Sequence, residues 1–188
     1  ADACAAARIR SFRGRVSRAM IASPGMPIER PSVAFLVRHP AHLIALGLGA
    51  GLAPFAPGTF GTLVAWPIAW LLDRYASTWA LLATIVAVAI VGAWAAGVTA
   101  RNLGVADHGS IVIDEIAAFL LVLFFAGPDP ARQALAFVFF RCFDVVKPPP
   151  IRQVDRAMKS GIGVMADDFL AAGYTLLVLA LVQRVIPW

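Results

Sequence analysis

A run of 25 residues from Ala76 to Ala100 contains no formally charged side chain. At ~1.5 Å per residue, a helix of this length crosses the ~30 Å hydrocarbon core of a bilayer. The whole chain has the same character, since 60% of its 188 residues are apolar, only 14% are charged, and the mean hydropathy is +0.79. That composition excludes an ordinary soluble domain and predicts a polytopic membrane protein.

Further apolar segments, each bounded by charged or turn residues, predict more membrane helices over Ile111–Ala126, Ala131–Lys147 and Phe169–Val182. Residues 39–72 also carry no formal charge, but their middle, Gly47–Gly61, holds five glycines and two prolines. A continuous helix does not survive that composition. We therefore expect a helix over about 32–48, a broken or re-entrant segment lining a polar cavity, and a helix over about 60–72.

Two segments are not expected to cross the membrane. Residues 1–31 contain six arginines and no apolar targeting core, which predicts a disordered tail before a single membrane-embedded domain over 32–188. Ile151–Ser160 has apolar residues at helical spacing with basic residues between them, which predicts a helix lying in the interface. The predicted fold is an all-α polytopic membrane bundle with a re-entrant Gly-Pro segment and an interfacial helix.

Counting the spans places most acidic side chains at one end of the bundle. The segment 111–126 leaves the side of the 101–110 loop and 131–147 returns to it, so residues up to 168 lie on that side. The acids gathered there are Asp107, Asp114, Glu115, Asp144, Asp155, Asp167 and Asp168. Most of the basic residues outside the tail fall there too, which predicts the cytoplasmic side. The net charge of +5 thus indicates membrane lipid, and not nucleic acid, as the partner.

The acidic pairs suggest a metal site. Asp114-Glu115 and Asp167-Asp168 each stand at the start of a predicted helix, where carboxylates can act simply as caps. Two such pairs with Asp144 at one membrane face favour a hard divalent cation. Several carboxylates without Cys or clustered His select Mg²⁺, which also binds substrate phosphate oxygens. The candidate ligands are Asp114, Glu115, Asp144, Asp167 and Asp168.

Two cations stand among these acids. Arg141, Asp144 and Lys147 are spaced so that they share one helix face, which an intrahelical ion pair would also explain. Beside a metal, Arg141 and Lys147 would bind the phosphate of an anionic substrate. The mixture of acids and bases at a lipid surface therefore suggests phosphoryl chemistry.

Other groups could assist an anion. The loop over 57–62 offers backbone N–H groups and hydroxyls, with Gly58 and Thr59 at its centre, although it could equally be a tight turn. His42 and His108 could hydrogen-bond a phosphate or act as a general acid, or serve only in packing.

Four motifs, in this order along the chain, resemble the phosphatidylglycerophosphatase A family: GLGAGLAPFAPGTFGTL, DHGSIVIDE, FRCFDVVKPPPI and GIGVMADD. The resemblance covers about residues 38–184. It implies a Mg²⁺-dependent, multi-pass enzyme of the bacterial inner membrane with its active site on the cytoplasmic face. Such an enzyme hydrolyses phosphatidylglycerophosphate to phosphatidylglycerol and phosphate in phospholipid biosynthesis. Pro149 stands where the family often has Trp, and Ala106 where His is common, but no candidate ligand is lost.

The resemblance carries site residues over by position: His42, Pro57, Gly58, Thr59, Gly61, Asp107, His108, Asp114, Glu115, Arg141, Asp144, Lys147, Asp155, Asp167 and Asp168. We expect the catalytic residues to be Asp114, Glu115, Asp144, His108 and Asp168. Those expected to bind the substrate phosphate are Arg141, Lys147, Thr59, Gly58 and His42. Two other interpretations compete with an enzyme: an ion or proton carrier that uses membrane-level carboxylates, and a scaffold whose charges only cap helices.

Overall fold

The computed structural model of the chain describes residues 30–105, 108–157 and 161–185, without the side chains at 156, 157, 161, 162 and 164. Nearly all of the predicted tail, and Asp107, lie outside the described residues. Within them every regular element is helical. The elements are α1 (Val33–Leu36), α2 (Pro40–Ala45), a 3₁₀ helix (Gly47–Leu52), α3 (Pro57–Tyr75), α4 (Thr78–Leu103), α5 (Ile113–Ala126), α6 (Pro130–Val146), α7 (Ile151–Ala157) and α8 (Gly161–Val185).

The prediction of one helix over about 32–48 was wrong. Pro40 starts a new helix, α2, and Nδ1 of His39 caps it by accepting a hydrogen bond from the Ala41 N–H at 3.1 Å. Proline cannot continue a helix from the preceding turn, so α1 ends before it. Gly47 and Gly49 then adopt positive φ angles of 55° and 110°, which ends α2 and opens the 3₁₀ helix. The break therefore begins earlier than the sequence suggested.

Helix α3 is longer than the predicted 60–72, because the first turn forms around the loop's own residues. Pro57 occupies the first position, where its fixed φ suits a helix start. Ala56 precedes it with φ 44° and ψ 51°, a left-handed conformation that turns the chain into the helix. The prediction that 57–62 is a loop is corrected: these residues are the start of α3.

Helix α5 is the centre of the bundle and packs against α3, α4, α6 and α8. Most of its residues are buried, with Phe119, Leu120 and Val122 enclosed almost completely, although Phe125 near its end is exposed. It has 14 residues and is thus ~21 Å long, which is short for a bilayer-spanning helix. Because four helices pack around α5, its charged first turn is enclosed by protein.

Two helices of the described chain are long and apolar enough to cross a membrane: α4 over Thr78–Leu103, and α8 over Met165–Val185. Only 22% of the most apolar window of α4 is buried. A core helix of a soluble protein would be mostly buried, whereas α4 exposes large apolar side chains such as Trp79, Ile90 and Trp94. Exposed apolar surface of that kind suits contact with lipid.

Helix α8 begins at Gly161, eight residues before the predicted start at Phe169. The sequence GIGVMA, which lies before the predicted span, forms the first turns of α8, and these pack beside α7. Asp167 and Asp168 therefore lie inside α8 and do not open it. The interpretation of this pair as a helix cap is wrong.

Candidate active site

Three carboxylates form the centre of the candidate site. Ligand oxygens of Asp114, Glu115 and Asp168 all lie within 4.8 Å of one another. Asp114 and Asp168 are 5% and 4% exposed, so their charges are almost fully removed from solvent. The first turn of α5 supplies the first two residues, and α8 brings in the third.

The start of α3 closes one side of this acidic triad. A Cβ atom at Gly58 would lie 2.1 Å from Oε1 of Glu115, so glycine at this position leaves room for the Glu115 carboxylate against the start of α3. In the described part of the chain, Oε2 of Glu115 is buried and has no hydrogen-bond partner. A buried carboxylate oxygen without a partner is costly and indicates that a further group belongs there.

Arg141, near the end of α6, joins the triad to its surroundings. Its Nη1 atom lies 3.8 Å from Oε1 of Glu115, donates to the Asp144 carboxylate and lies 3.4 Å from Oγ1 of Thr62. Asp144 thus pairs with Arg141 and is outside the cluster of three carboxylates. The Arg141 Nε atom is buried without a partner among the described residues. Asp144 and Thr62 therefore hold Arg141 in place, and its Nε–H group can still donate a hydrogen bond.

Lys147, Asp155 and Asp167 form a second group of charges, the ion triad, beside the first. The Lys147 ammonium donates to Asp155 at 2.8 Å and also to Asp167. Burial lowers the pKa of Lys147, but its hydrogen bonds and charge interactions with the two aspartates outweigh that effect and raise the pKa. The structure thus pairs Asp167, a predicted metal ligand, with Lys147.

His108 lies in the loop before α5 and is buried, with 6% of its surface exposed. Its Nδ1 atom accepts a hydrogen bond from the Ser110 N–H at 3.1 Å. The neutral ring therefore carries its proton on Nε2. That atom has no partner within the described residues.

His42 does not join these groups. Its Nδ1 atom bonds the Phe35 carbonyl at 2.9 Å, and its Nε2 atom bonds the Asn102 amide at 2.9 Å. The ring also stacks on Phe35 with centroids 4.0 Å apart. Both nitrogens are thus engaged in holding α1, α2 and α4 together, and no contact supports the predicted phosphate role.

The first turn of α3 places the other predicted phosphate ligands. The N–H groups of Thr59 and Phe60 both donate to the Ala56 carbonyl, so Thr59 offers its hydroxyl and not its N–H. Gly58 is at the site through its contact with Glu115. The sequence interpretation counted Thr62 only as one of the hydroxyls of the 57–62 loop. In the structure its hydroxyl donates to the Gly58 carbonyl at 2.9 Å and contacts Arg141.

The acidic triad could hold a metal ion. Ligand oxygens of the three carboxylates lie within 4.8 Å of one another, and among the basic side chains that the structure describes, Arg141 is 3.8 Å from one oxygen of Glu115. A divalent cation would compensate the remaining charge and give Oε2 of Glu115 a partner. The donors fit such an ion because all of them are carboxylate oxygens.

Comparison with known proteins identifies the family. The family model described as Phosphatidylglycerophosphatase A matches residues 43–183. The chain belongs to the phosphatidylglycerophosphatase A family. It is 42% identical over 135 residues to Phosphatidylglycerophosphatase A of Escherichia coli (strain K12), covering 71% of this chain and 77% of that protein. With the protein of the same name from Haemophilus influenzae it shares 38% identity over 147 residues, covering 77% and 90%.

The chain is also 39% identical over 153 residues to a Bacteroides thetaiotaomicron protein, 94% of which is covered. The name of that protein is Putative phosphatidylinositol-3-phosphatase. No solved structure matches the chain. Membership of the phosphatidylglycerophosphatase A family makes this chain a lipid phosphatase. The interpretations as an ion carrier or as a scaffold are therefore set aside.

Proposed function

We propose that the protein hydrolyses the terminal phosphate of phosphatidylglycerophosphate with Mg²⁺ held by Asp114, Glu115 and Asp168. The observation that carries this proposal is the buried acidic triad with Arg141 beside it. A phosphate monoester needs charge compensation at its oxygens, and carboxylates alone would repel it. A cation bound by the triad, together with Arg141, gives the site a net attraction for the substrate.

Mg²⁺ is the ion that suits this donor set. It prefers a few carboxylates and keeps water and phosphate oxygens as its other ligands. Sulfur and imidazole would favour zinc, but the triad offers neither. When bound, Mg²⁺ supplies charge stabilisation to the phosphoryl group and acidifies water.

The chain's own residues bind and orient the substrate. Arg141 is held by Asp144 and Thr62, so its remaining donors are fixed in direction and can bind a phosphate oxygen without reorganisation. The Nε2–H group of His108 is a buried donor suited to a phosphate or leaving-group oxygen. In the reaction the phosphorus–oxygen bond to glycerol breaks, water supplies the new phosphate oxygen, and the glycerol oxygen takes up a proton.

Two of the helices around the site support a membrane placement. We propose a multi-pass protein of the bacterial inner membrane in which α4 and α8 span the bilayer. The triad end of the bundle would face the cytoplasm, as the positive-inside bias favours. The short helix α7 follows that end of α6 and suits a place in the interface, where Ile151 is buried against the protein.

The test is phosphate release from phosphatidylglycerophosphate by the purified full chain in detergent, with Mg²⁺ and with chelator. Asp114→Asn and Asp168→Asn are expected to lower the rate at least about 100-fold, since each removes a charged metal ligand. Asp73→Asn is the matched control, because Asp73 is an exposed acid near the far end of α3. Native rates in the folded triad variants would refute the metal site.

The substrate is tested in the same assay. Phosphatidylinositol 3-phosphate is the competing lipid, because one relative's name proposes activity on it. We expect phosphatidylglycerophosphate to have the higher kcat/KM. A higher kcat/KM for phosphatidylinositol 3-phosphate would overturn the proposed substrate while leaving the phosphatase chemistry intact.

A further inference from the structure

We propose that Lys147 is a positioning residue which orients Asp168 through Asp167, and that it does not bind the substrate phosphate. The proposal rests on the proposed function, since Asp168 matters as a member of the metal-binding triad. It reverses the role that the sequence suggested for Lys147.

The contacts of Lys147 leave its ammonium group engaged. It donates to carboxylates on two different helices, Asp155 of α7 and Asp167 of α8. The Asp167 side chain is only 8% exposed, while that of Lys147 is 28% exposed. Two of the three N–H groups of the Lys147 ammonium donate to carboxylates that already compensate its charge, so it attracts a phosphate less than Arg141 does, whose Nε–H has no partner among the described residues.

The backbone at Lys147 supports this placement. Lys147 ends α6 with φ 46° and ψ 66°, a left-handed conformation that is unfavourable for residues other than glycine. Unfavourable backbone persists where the surrounding contacts require it. Here the left-handed turn takes the chain out of α6 while the Lys147 side chain reaches between α7 and α8.

Asp167 connects this ion triad to the acidic triad. Consecutive residues on a helix point ~100° apart, so Asp167 and Asp168 face different neighbours. With Asp167 fixed to Lys147, the rotation of α8 about its own axis is fixed. Asp168 is then directed at Asp114 and Glu115, with which it clusters within 4.8 Å.

The deciding measurement is binding of Mn²⁺, a spectroscopically visible substitute for Mg²⁺, to the full chain in detergent without substrate. Simple electrostatics predicts that Lys147→Met tightens Mn²⁺ binding, because it removes a positive charge near the site. A positioning role predicts the opposite sign, a weakening of about tenfold or more, as found for partners of metal ligands. Asp167→Asn should weaken binding similarly, and the double variant no further than about twofold beyond either single variant.

Inhibition by inorganic phosphate at saturating Mn²⁺ is the second readout. We expect the inhibition constant of Lys147→Met to stay within about twofold of the native value, whereas Arg141→Met should raise it about tenfold or more. Lys147→Arg keeps the charge and should retain much of the Mn²⁺ affinity. Asp155→Asn removes the partner that lies on α7 and not on the helix of Asp168, so it should weaken Mn²⁺ binding less than Asp167→Asn does.

The proposal fails if Lys147→Met tightens or leaves unchanged the binding of Mn²⁺, or if it weakens phosphate inhibition about tenfold. Additive effects of the Lys147 and Asp167 variants also overturn it. If Lys147→Met does not fold, Asp167→Asn alone decides, since native Mn²⁺ affinity in that variant contradicts the coupling. Mn²⁺ binding needs no turnover, so a native protein that binds Mn²⁺ but leaves the lipid intact would refute the proposed function separately.

Discussion

Gly58 and Glu115 lie so close together that a Cβ atom at position 58 would stand 2.1 Å from Oε1 of Glu115. The atom in the way is the end of a flexible side chain and not backbone. The fold can therefore tolerate a methyl group at position 58, but the Glu115 carboxylate cannot keep its place. This contact separates the stability of the bundle from the geometry of the site.

Gly58→Ala is accordingly expected to reduce kcat at least about tenfold while the melting temperature changes by only a few degrees. The reason is that Glu115 must move away from Asp114 and Asp168. Phosphate release and thermal unfolding of the same preparation check both halves of the prediction. Gly173→Ala is the matched control, because nothing lies within 4 Å of a Cβ at that exposed position of α8. Native activity in Gly58→Ala would show that the position of Glu115 is unimportant.

Arg141→Lys should lower kcat/KM about 100-fold although it keeps the positive charge. A lysine ammonium could replace the contacts of Nη1 with Asp144, Thr62 and Glu115, but it cannot also supply the guanidinium's other N–H groups, such as the buried Nε–H, in fixed planar geometry. Steady-state kinetics with phosphatidylglycerophosphate measure the effect. Arg74→Lys, an exposed arginine at the far end of α3, should leave kcat/KM unchanged. A mild effect at Arg141 would mean that charge alone is sufficient there.

Metal removal gives a prediction about stability. Without metal the triad carboxylates are crowded, so Asp168→Asn should raise the melting temperature in chelator relative to the native chain. With Mg²⁺ at about 100 times its dissociation constant, the free energy of unfolding of the native protein should rise by about 2.7 kcal/mol, and that of the variant should rise much less. Thermal unfolding of both proteins, with and without Mg²⁺, tests whether the variant is the more stable in chelator and the native protein gains more from Mg²⁺. Parallel behaviour of the two proteins would show that Asp168 is not at a metal site.

His108 should act as a hydrogen-bond donor through Nε2. Glutamine can place an amide N–H near the position of that atom, whereas alanine removes both the Nε2 donor and the Nδ1 contact with Ser110. We expect His108→Ala to lower kcat at least about tenfold, and His108→Gln to recover part of the loss. Equal activity of the two variants would mean that the Nε2 donor contributes nothing to turnover.

Span counting correctly placed Glu115, Arg141 and Asp168 at one end of the bundle, because the order and direction of the helices follow from the apolar pattern even where their ends do not. That Asp167 pairs with Lys147 while Asp168 joins Asp114 and Glu115 could not be predicted in that way. It depends on where α8 begins and on which neighbours each side chain meets, and α8 begins at Gly161 and not at Phe169. The contact of Asp167 with Lys147 is tertiary, and no local sequence pattern encodes it.

His42 shows the other limit of the sequence. A histidine near a glycine-rich segment is compatible with a phosphate ligand, but here Phe35 and Asn102 take up both ring nitrogens. One of these partners is seven residues away and the other is on α4. Only the packing of α1 and α2 against α4 brings them together, so composition and spacing could not distinguish the two roles.

The shortness of α5 has a consequence for how the enzyme meets its substrate. At ~21 Å, α5 is far shorter than α4, whose 26 residues extend ~39 Å, so the two cannot reach the same depth at both ends. In the proposed bilayer placement the catalytic groups lie in a recess below the surface, and the lipid headgroup enters while its tails remain among other lipids. The relevant substrate concentration is then a mole fraction in the membrane plane. Diluting the substrate with inert lipid should slow turnover even when its amount per volume is held constant.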